Sequence, residues 1–305
     1  MPFLEVSDGH RLYYEVHGAA DGKPALVLHG GPGGGLQRSA LKAFNLRRWR
    51  VVLFDQRGCG RSQPGGVAGL RANTTRHLVR DIEALRRVTV GGDRAWTVFG
   101  GSWGSTLALA YYAAFPHAVA ALILRGICLM SREEQRWLYE AGGASQVFPE
   151  EWARFTDSAG GPVQRNYRRL TRTFHRRLRS CDRVTRRRAA RQWWGWESSL
   201  SFLKPRHDDT PIAKVEDLAR LETHYFAHDA WLRPNALLAA ARRIPARLPV
   251  QIIQGRYDMV CPVASAVALH RAIPHSRLTI VPDAGHASTE PGIAVELKRA
   301  VQSLL

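Results

Sequence analysis

Trp96-Thr97-Val98-Phe99-Gly100-Gly101-Ser102-Trp103-Gly104-Ser105-Thr106 is the stretch whose reading decides the fold. The apolar run Trp96 to Phe99 reads as a short buried strand, and Leu107-Ala108-Leu109-Ala110-Tyr111 reads as a helix. Between them lies Gly-x-Ser-x-Gly, the spacing of a nucleophile elbow. A strand that turns at once into a helix strains the backbone at its apex, and only small neighbours let the two elements approach. The turn lifts the Ser102 hydroxyl clear of the sheet. It also sets the serine at a helix N-terminus, where N–H groups favour developing negative charge.

Outward from this stretch the chain keeps the same rhythm. Residues 3 to 17 alternate apolar and polar around Ser7-Asp8-Gly9-His10, a hairpin pattern. Ala25 to His29 and Val51 to Asp55 are apolar runs ending in the loops Gly30-Gly31-Pro32-Gly33-Gly34-Gly35 and Gln56-Arg57-Gly58-Cys59-Gly60-Arg61-Ser62. Asn73-Thr74-Thr75 offers an N-cap to a helix over 76 to 90, and Val119 to Leu124 is another strand. Strands alternating with helices predict an α/β fold with a mostly parallel, doubly wound sheet covered on both faces. Residues 130 to 240 contain no convincing strand and carry Arg, Trp and Glu at helical spacings, so they read as an inserted helical cap. The rhythm resumes with strands at 249 to 254 and 278 to 281 and helices at 263 to 272 and 290 to 304. The expected division is a core over 1–128, a cap over 129–243 and the rest of the core over 244–305.

The 305 residues suffice for one such domain with an insertion, and 45% hydrophobic content is ordinary for a globular chain. No run approaches the ~18 apolar residues of a membrane span, and the first residues do not read as a signal peptide. Four scattered cysteines without Cys-x-x-Cys spacing point to free thiols, a reducing cytoplasmic setting and no structural zinc. The net charge of +18 is carried by arginine: only five of the 44 basic residues are lysines. It accompanies no nucleic-acid-binding motif, so it reads as a solvated basic face, and a nucleic-acid partner is not expected.

A nucleophilic serine needs a base, and the base needs an orienting carboxylate. After the cap, Gln254-Gly255-Arg256-Tyr257-Asp258 places a carboxylate just past a strand. Pro282-Asp283-Ala284-Gly285-His286 places a histidine just past the last one. Ser102, Asp258 and His286 are in the chain order this fold uses, and all three lie beyond the carboxyl ends of strands. Asp283 is the other candidate orienter, but three residues from His286 on the same loop it has poorer access to Nδ1. The oxyanion donors expected are the N–H of Trp103 and of Gly31, since a backbone that approaches a substrate oxygen has no room for a side chain.

Together, His29-Gly30-Gly31-Pro32-Gly33-Gly34, Asp55-Gln56-Arg57-Gly58-Cys59-Gly60-Arg61-Ser62, Gly100 to Ser105 and Gly255-Arg256-Tyr257-Asp258 resemble the prolyl aminopeptidase (proline iminopeptidase) family of α/β hydrolases. The resemblance covers nearly the whole chain. It implies release of an N-terminal residue, typically proline, from a small peptide or aminoacyl substrate, by a serine mechanism without metal or cofactor. It also implies that Glu197, in Trp193-Trp194-Gly195-Trp196-Glu197, and Glu222, in Glu222-Thr223-His224-Tyr225-Phe226, bind the substrate ammonium, with Phe226 walling the side-chain pocket. A buried amine requires such carboxylates. The chain departs from the family at two pocket positions, with Cys128 in place of phenylalanine and Leu138 in place of tyrosine. A pocket short of two rings is wider. This keeps open a second function, an esterase or amidase acting on a small metabolite. A third reading is a polyanion-binding protein that uses the arginine-rich cap.

Overall fold

The computed structural model describes residues 2–157, 166–204, 206 and 209–305. Its centre is an eight-stranded sheet in the order β1-β2-β4-β3-β5-β6-β7-β8. Strands β1 (Phe3–Glu5) and β2 (Arg11–Gly18) form the antiparallel hairpin, and β2 pairs antiparallel with β4 (Trp49–Phe54). From β4 onward every pairing is parallel, through β3 (Lys23–Leu28), β5 (Trp96–Gly101), β6 (Val119–Arg125), β7 (Val250–Gly255) and β8 (Arg277–Val281).

Parallel strands bury both faces, so they read as unbroken apolar runs. The period of two then sorts their residues. Leu26, Leu28, Val52, Val98, Leu122 and Ile252 pack on one side with α1 (Thr75–Thr89), α2 (Trp103–Ala114), α8 (Ala236–Ala241) and α9 (Val263–Ala272). Val27, Val51, Leu53, Phe99, Ile123 and Ile253 pack on the other with α10 (Pro291–Gln302). The sequence places the N-cap of α1 within Asn73-Thr74-Thr75. Thr74 is the capping residue, but its hydroxyl meets the His77 ring at 2.8 Å and not a backbone N–H.

Between β6 and β7 every described regular element is helical. Five longer helices precede α8: α3 (Arg132–Tyr139), α4 (Pro149–Thr156), α5 (Tyr167–Leu178), α6 (Arg183–Ser201) and α7 (Ile212–Phe226). Their starts are chemically marked: Ser131 and Glu134 form a capping box on α3, and Asp182 accepts the Val184 and Thr185 N–H groups of α6. Among the described residues no helix is long and apolar enough to cross a membrane.

Two glycines test how closely the elbow is packed. A Cβ on Gly100 would lie 2.2 Å from the Gly104 carbonyl oxygen, whereas a Cβ on Gly195, inside α6, would meet nothing within 4 Å. Gly100→Ala is therefore expected to lower unfolding free energy by about 2 kcal/mol or more. Gly195→Ala is expected to raise it by roughly 0.5–1 kcal/mol. Urea unfolding of both variants checks this; equal effects would show that elbow packing is not limiting.

Candidate active site

Ser102 sits at the junction of β5 and α2 with φ 57° and ψ −126°, a conformation that β-carbon-bearing residues rarely adopt. Its own N–H donates to the Arg125 carbonyl at 2.8 Å, which ties the turn to the end of β6. The Trp103 N–H belongs to the first turn of α2, so it has no acceptor within that helix. The neighbouring loop comes close: a Cβ on Gly30 would stand 3.3 Å from the Ser102 Cβ. Gly31 has φ 107°, and a Cβ there would strike the Gly33 and Gly34 nitrogens at 2.7 and 2.8 Å.

His286 and Asp258 are joined. Nδ1 of His286 lies 2.8 Å from one Asp258 carboxylate oxygen and 3.0 Å from the other. Asp258 is 4% exposed, and its carboxylate also accepts the Val260 and Cys261 N–H groups and the Gln254 side-chain amide. Asp283 is exposed. On the other side of the ring, Arg125 Nη1 lies 3.3 Å from Nε2 and donates to the His286 carbonyl at 2.8 Å.

The glycine-rich loops are locked by one amide. The Gln56 side chain donates to the His29 carbonyl at 3.0 Å and accepts the Trp103 indole N–H at 3.0 Å, while the Gln56 backbone N–H donates to His29 Nε2 at 3.1 Å. One residue thus joins the loop after β3, the loop after β4 and the elbow. Asp55 holds the same region by accepting the Leu36 and Arg61 N–H groups.

Glu197 on α6 and Glu222 on α7 meet at a second cluster. The Trp193 indole donates to Glu222 at 2.6 Å, the Tyr139 hydroxyl donates to Glu197, and each carboxyl group is close enough to influence the other's ionisation. Tyr139 stacks on Trp193 with centroids 4.8 Å apart, and Phe226 closes on Tyr139 at 5.6 Å. Both helices abut the catalytic loops. The Ser201 carbonyl, one turn after Glu197, accepts the Ala287 N–H, and a Cβ on Gly33 would meet Leu221, beside Glu222, at 2.8 Å. The rest of Glu222-Thr223-His224-Tyr225-Phe226 is an anchor. His224 Nε2 donates to the Asn73 carbonyl, and the Tyr225 hydroxyl donates to the Asn73 side chain at 2.6 Å.

Burial raises both carboxyl groups. Glu222 is 2% exposed and is pushed well up, first by burial and then by the Glu197 charge. Glu197 keeps some accessible surface but is closely surrounded by protein, and burial lifts it to about 7 against the opposing hydrogen bonds of Tyr139 and Glu222. Burial therefore favours the protonated form at both carboxyl groups.

The remaining expected pocket residues lie near these groups. Cys128 is half-buried, its N–H bonded to the Ser105 hydroxyl at 3.0 Å. Leu138 is buried, and its carbonyl accepts the Trp196 indole N–H. Sequence reading placed Tyr139 and Trp193 in aromatic segments without giving them partners, and it missed Gln56 and Arg125. Tyr139 carried a usable signal, since it follows Leu138 in the aromatic segment Trp137-Leu138-Tyr139. Apart from this site, a groove of about 490 Å³ runs along α5, lined by Asn166, Thr173 and five arginines.

The chain matches the family described as alpha/beta hydrolase fold over residues 23–292. It is 47% identical to a proline iminopeptidase of Xylella fastidiosa, over 94% of this chain and 91% of that protein. It is 42% identical to one from Neisseria gonorrhoeae, over 99% and 95%. The Arabidopsis thaliana proline iminopeptidase is 44% identical over 96% of this chain and 77% of its own length. Among solved structures, an esterase from Exiguobacterium antarcticum superimposes with a TM-score of 0.63 at 20% identity, covering 99% and 98% of the two chains. An esterase from Rhodococcus sp. ECU1013 gives 0.62 at 17%, covering 99% and 96%. These two likenesses speak to fold alone.

The raised carboxyl group has a stability signature. Between the unfolded value of 4.5 and about 7, folded Glu197 binds more protons than unfolded Glu197, so this group's contribution falls as pH rises through that window. Glu197→Gln removes the ionisation. Thermal melts should show a higher Tm than wild type at pH 8 and little difference at pH 5. A lower Tm at pH 8 would mean that the ionised carboxylate is favourably solvated.

Proposed function

This chain belongs to the α/β-hydrolase family and, within it, to the proline iminopeptidases, and on that footing we propose how its residues divide the work of removing an N-terminal proline from a peptide. The protein is a serine hydrolase of the prolyl aminopeptidase type. The observation that carries the reading is the Glu197–Glu222 pair, two carboxyl groups brought together beside the loops of Gly31 and His286. A buried pair of this kind is costly by itself, and a bound ammonium relieves the cost.

In this reading residues 129–243 form the cap over a core of 1–128 and 244–305. Glu197 and Glu222 hold the ammonium, Phe226, Tyr139, Cys128 and Leu138 surround the ring, and the scissile carbonyl comes to Ser102. Ser102 Oγ attacks, and His286 Nε2 takes its proton while Nδ1–H stays on Asp258. The N–H groups of Trp103 and Gly31 receive the oxyanion. His286 then protonates the leaving amine, and water returns through the same base to free proline. Nε2 faces Arg125 at 3.3 Å. Its bond to Ser102 belongs to the substrate complex, where catalytic hydrogen bonds tighten. A reducing cytoplasmic setting fits the four free cysteines.

A second reading keeps the same serine, histidine and aspartate and changes the substrate. Cys128 and Leu138 stand where the resemblance puts two rings, which favours acceptance of a bulkier N-terminal residue, amide or ester.

Ser102→Ala should lower kcat by roughly 10³-fold or more; retention of most activity would remove Ser102 from the mechanism. A panel of aminoacyl naphthylamides and simple esters separates the two readings. Glu197→Gln and Glu222→Gln should each raise KM for prolyl naphthylamide while sparing esters that lack an amine. As pH falls below about 7, Glu197 takes up its proton and the ammonium loses a counter-charge. KM for the naphthylamide should therefore climb on the acid side, and KM for the esters should not. Parallel profiles for the two substrate classes would dissociate this carboxylate from amine binding.

A further inference from the structure

Gln56 is 2% exposed and bonds to no group that moves a proton in the proposed reaction. Its amide spans a gap that the sheet leaves open. Strands β3 and β5 pair in parallel, and their ladder ends at Leu28 opposite Gly100. Gly31 and Trp103 both lie beyond these last paired residues. The Gln56 side chain crosses there from the loop after β4. Its nitrogen donates to the His29 carbonyl at 3.0 Å, and its oxygen accepts the Trp103 indole N–H at 3.0 Å. The partners fix which end is which, because a carbonyl only accepts and an indole N–H only donates.

Each contact continues to a backbone N–H. On one side, burial lowers the His29 imidazole, so the ring is neutral, with one donor and one acceptor. Nε2 accepts the Gln56 backbone N–H at 3.1 Å, which leaves the proton on Nδ1, and Nδ1 donates to the Gly30 carbonyl at 2.9 Å. The Gly34 N–H donates to the same carbonyl at 3.1 Å. That carbonyl and the Gly31 N–H belong to one planar trans peptide unit and point in opposite directions, so holding one aims the other. On the other side, the Trp103 ring packs against the Tyr225 ring with centroids 4.7 Å apart, and the Tyr225 hydroxyl donates to the Asn73 side chain. An indole held at its edge by Gln56 and on its face by Tyr225 fixes the residue that opens α2.

Given the oxyanion role proposed above for the Trp103 and Gly31 N–H groups, we propose that Gln56 is a positioning residue that sets these two donors relative to each other, acting on the transition state and not on substrate binding. Two donors from separate segments serve one oxygen only if both reach it at about 2.7–3.1 Å. A side-chain amide suits the task because it gives a donor to the carbonyl and an acceptor to the indole at once. A glutamate of the same length sets a carboxylate oxygen against the His29 carbonyl. A methionine leaves both partners buried and unpaired.

The test measures kcat and KM of the full chain on prolyl naphthylamide and on p-nitrophenyl acetate, with the Ser102→Ala rate subtracted. The ester has no amine, so it calls on the oxyanion donors without the Glu197–Glu222 pair. Gln56→Glu and Gln56→Met should lower kcat by roughly 10- to 100-fold on both substrates. KM should stay within about threefold of wild type. The pH at which the base titrates in kcat/KM should not move, because Gln56 bonds to neither His286 nor Asp258. Trp103→Phe keeps the backbone N–H and a ring but removes the indole donor. It should also lower kcat, and combining it with Gln56→Met should cost less than the product of the two single losses. Unchanged kcat in Gln56 variants that show only a lower urea midpoint would make the residue structural and overturn the proposal. A rise in KM alone, a shifted pH profile, or a loss confined to one substrate would overturn it as well. If wild type cleaves the ester but not prolyl naphthylamide, the peptidase reading fails while the ester still reports on Gln56.

Discussion

Everything at this site depends on one backbone turn that is unfavourable by itself. Ser102 is held at positive φ because β5 must become α2 within a single residue. The glycines around it are a matter of clearance. A Cβ on Gly104 would lie 2.3 Å from the Leu28 carbonyl oxygen, and one on Gly101 would lie 2.4 Å from the Arg125 guanidinium. Strain of about 1–3 kcal/mol persists only where surrounding structure over-determines it. Here the surroundings are the centre of the sheet, flanked by β3 and β6, with α2 buried along most of its length.

The second layer of organisation is a set of side chains that bond across segments distant in sequence. Gln56 joins two loops to the elbow, Asn73 joins the core to α7, and Gln254 joins the ends of β6 and β7. Buried amides suit this work because each offers donors and acceptors that can be satisfied at once. Once they are paired, moving any segment exposes an unsatisfied polar group, so the loops are fixed without needing secondary structure of their own.

Much of this was legible in the sequence, for physical reasons. Parallel strands announce themselves as apolar runs, and Gly-x-Ser-x-Gly at a strand–helix junction has few structural explanations. The contact between His286 and Asp258 followed from chain order and strand ends. What the residues did not disclose is pairing across distance. Nothing near Gln56 says that it reaches Trp103, and nothing near Arg125 says that it faces His286. Cys128 was legible only as a ring replaced. The N-cap shows the limit on a local scale: Thr74 caps by position, while its hydroxyl takes a side-chain partner.

In the proposed function the carboxylate pair ties energetics to amine binding. A site that must accept a charged amine cannot be at its most stable when empty, because charges arranged for the ligand repel without it. The protein limits that cost in two ways. Burial favours the protonated forms of Glu222 and Glu197, and Trp193 and Tyr139 supply hydrogen bonds that keep the carboxyl oxygens satisfied. In that reading the ammonium supplies the counter-charge that ionisation of the pair requires, so binding and deprotonation are linked. Discrimination follows from the same balance. On the proposed roles, a substrate without the amine leaves the pair protonated and gains nothing from it, which would put selectivity for an N-terminus in carboxylates that stay unfavourable until an amine arrives.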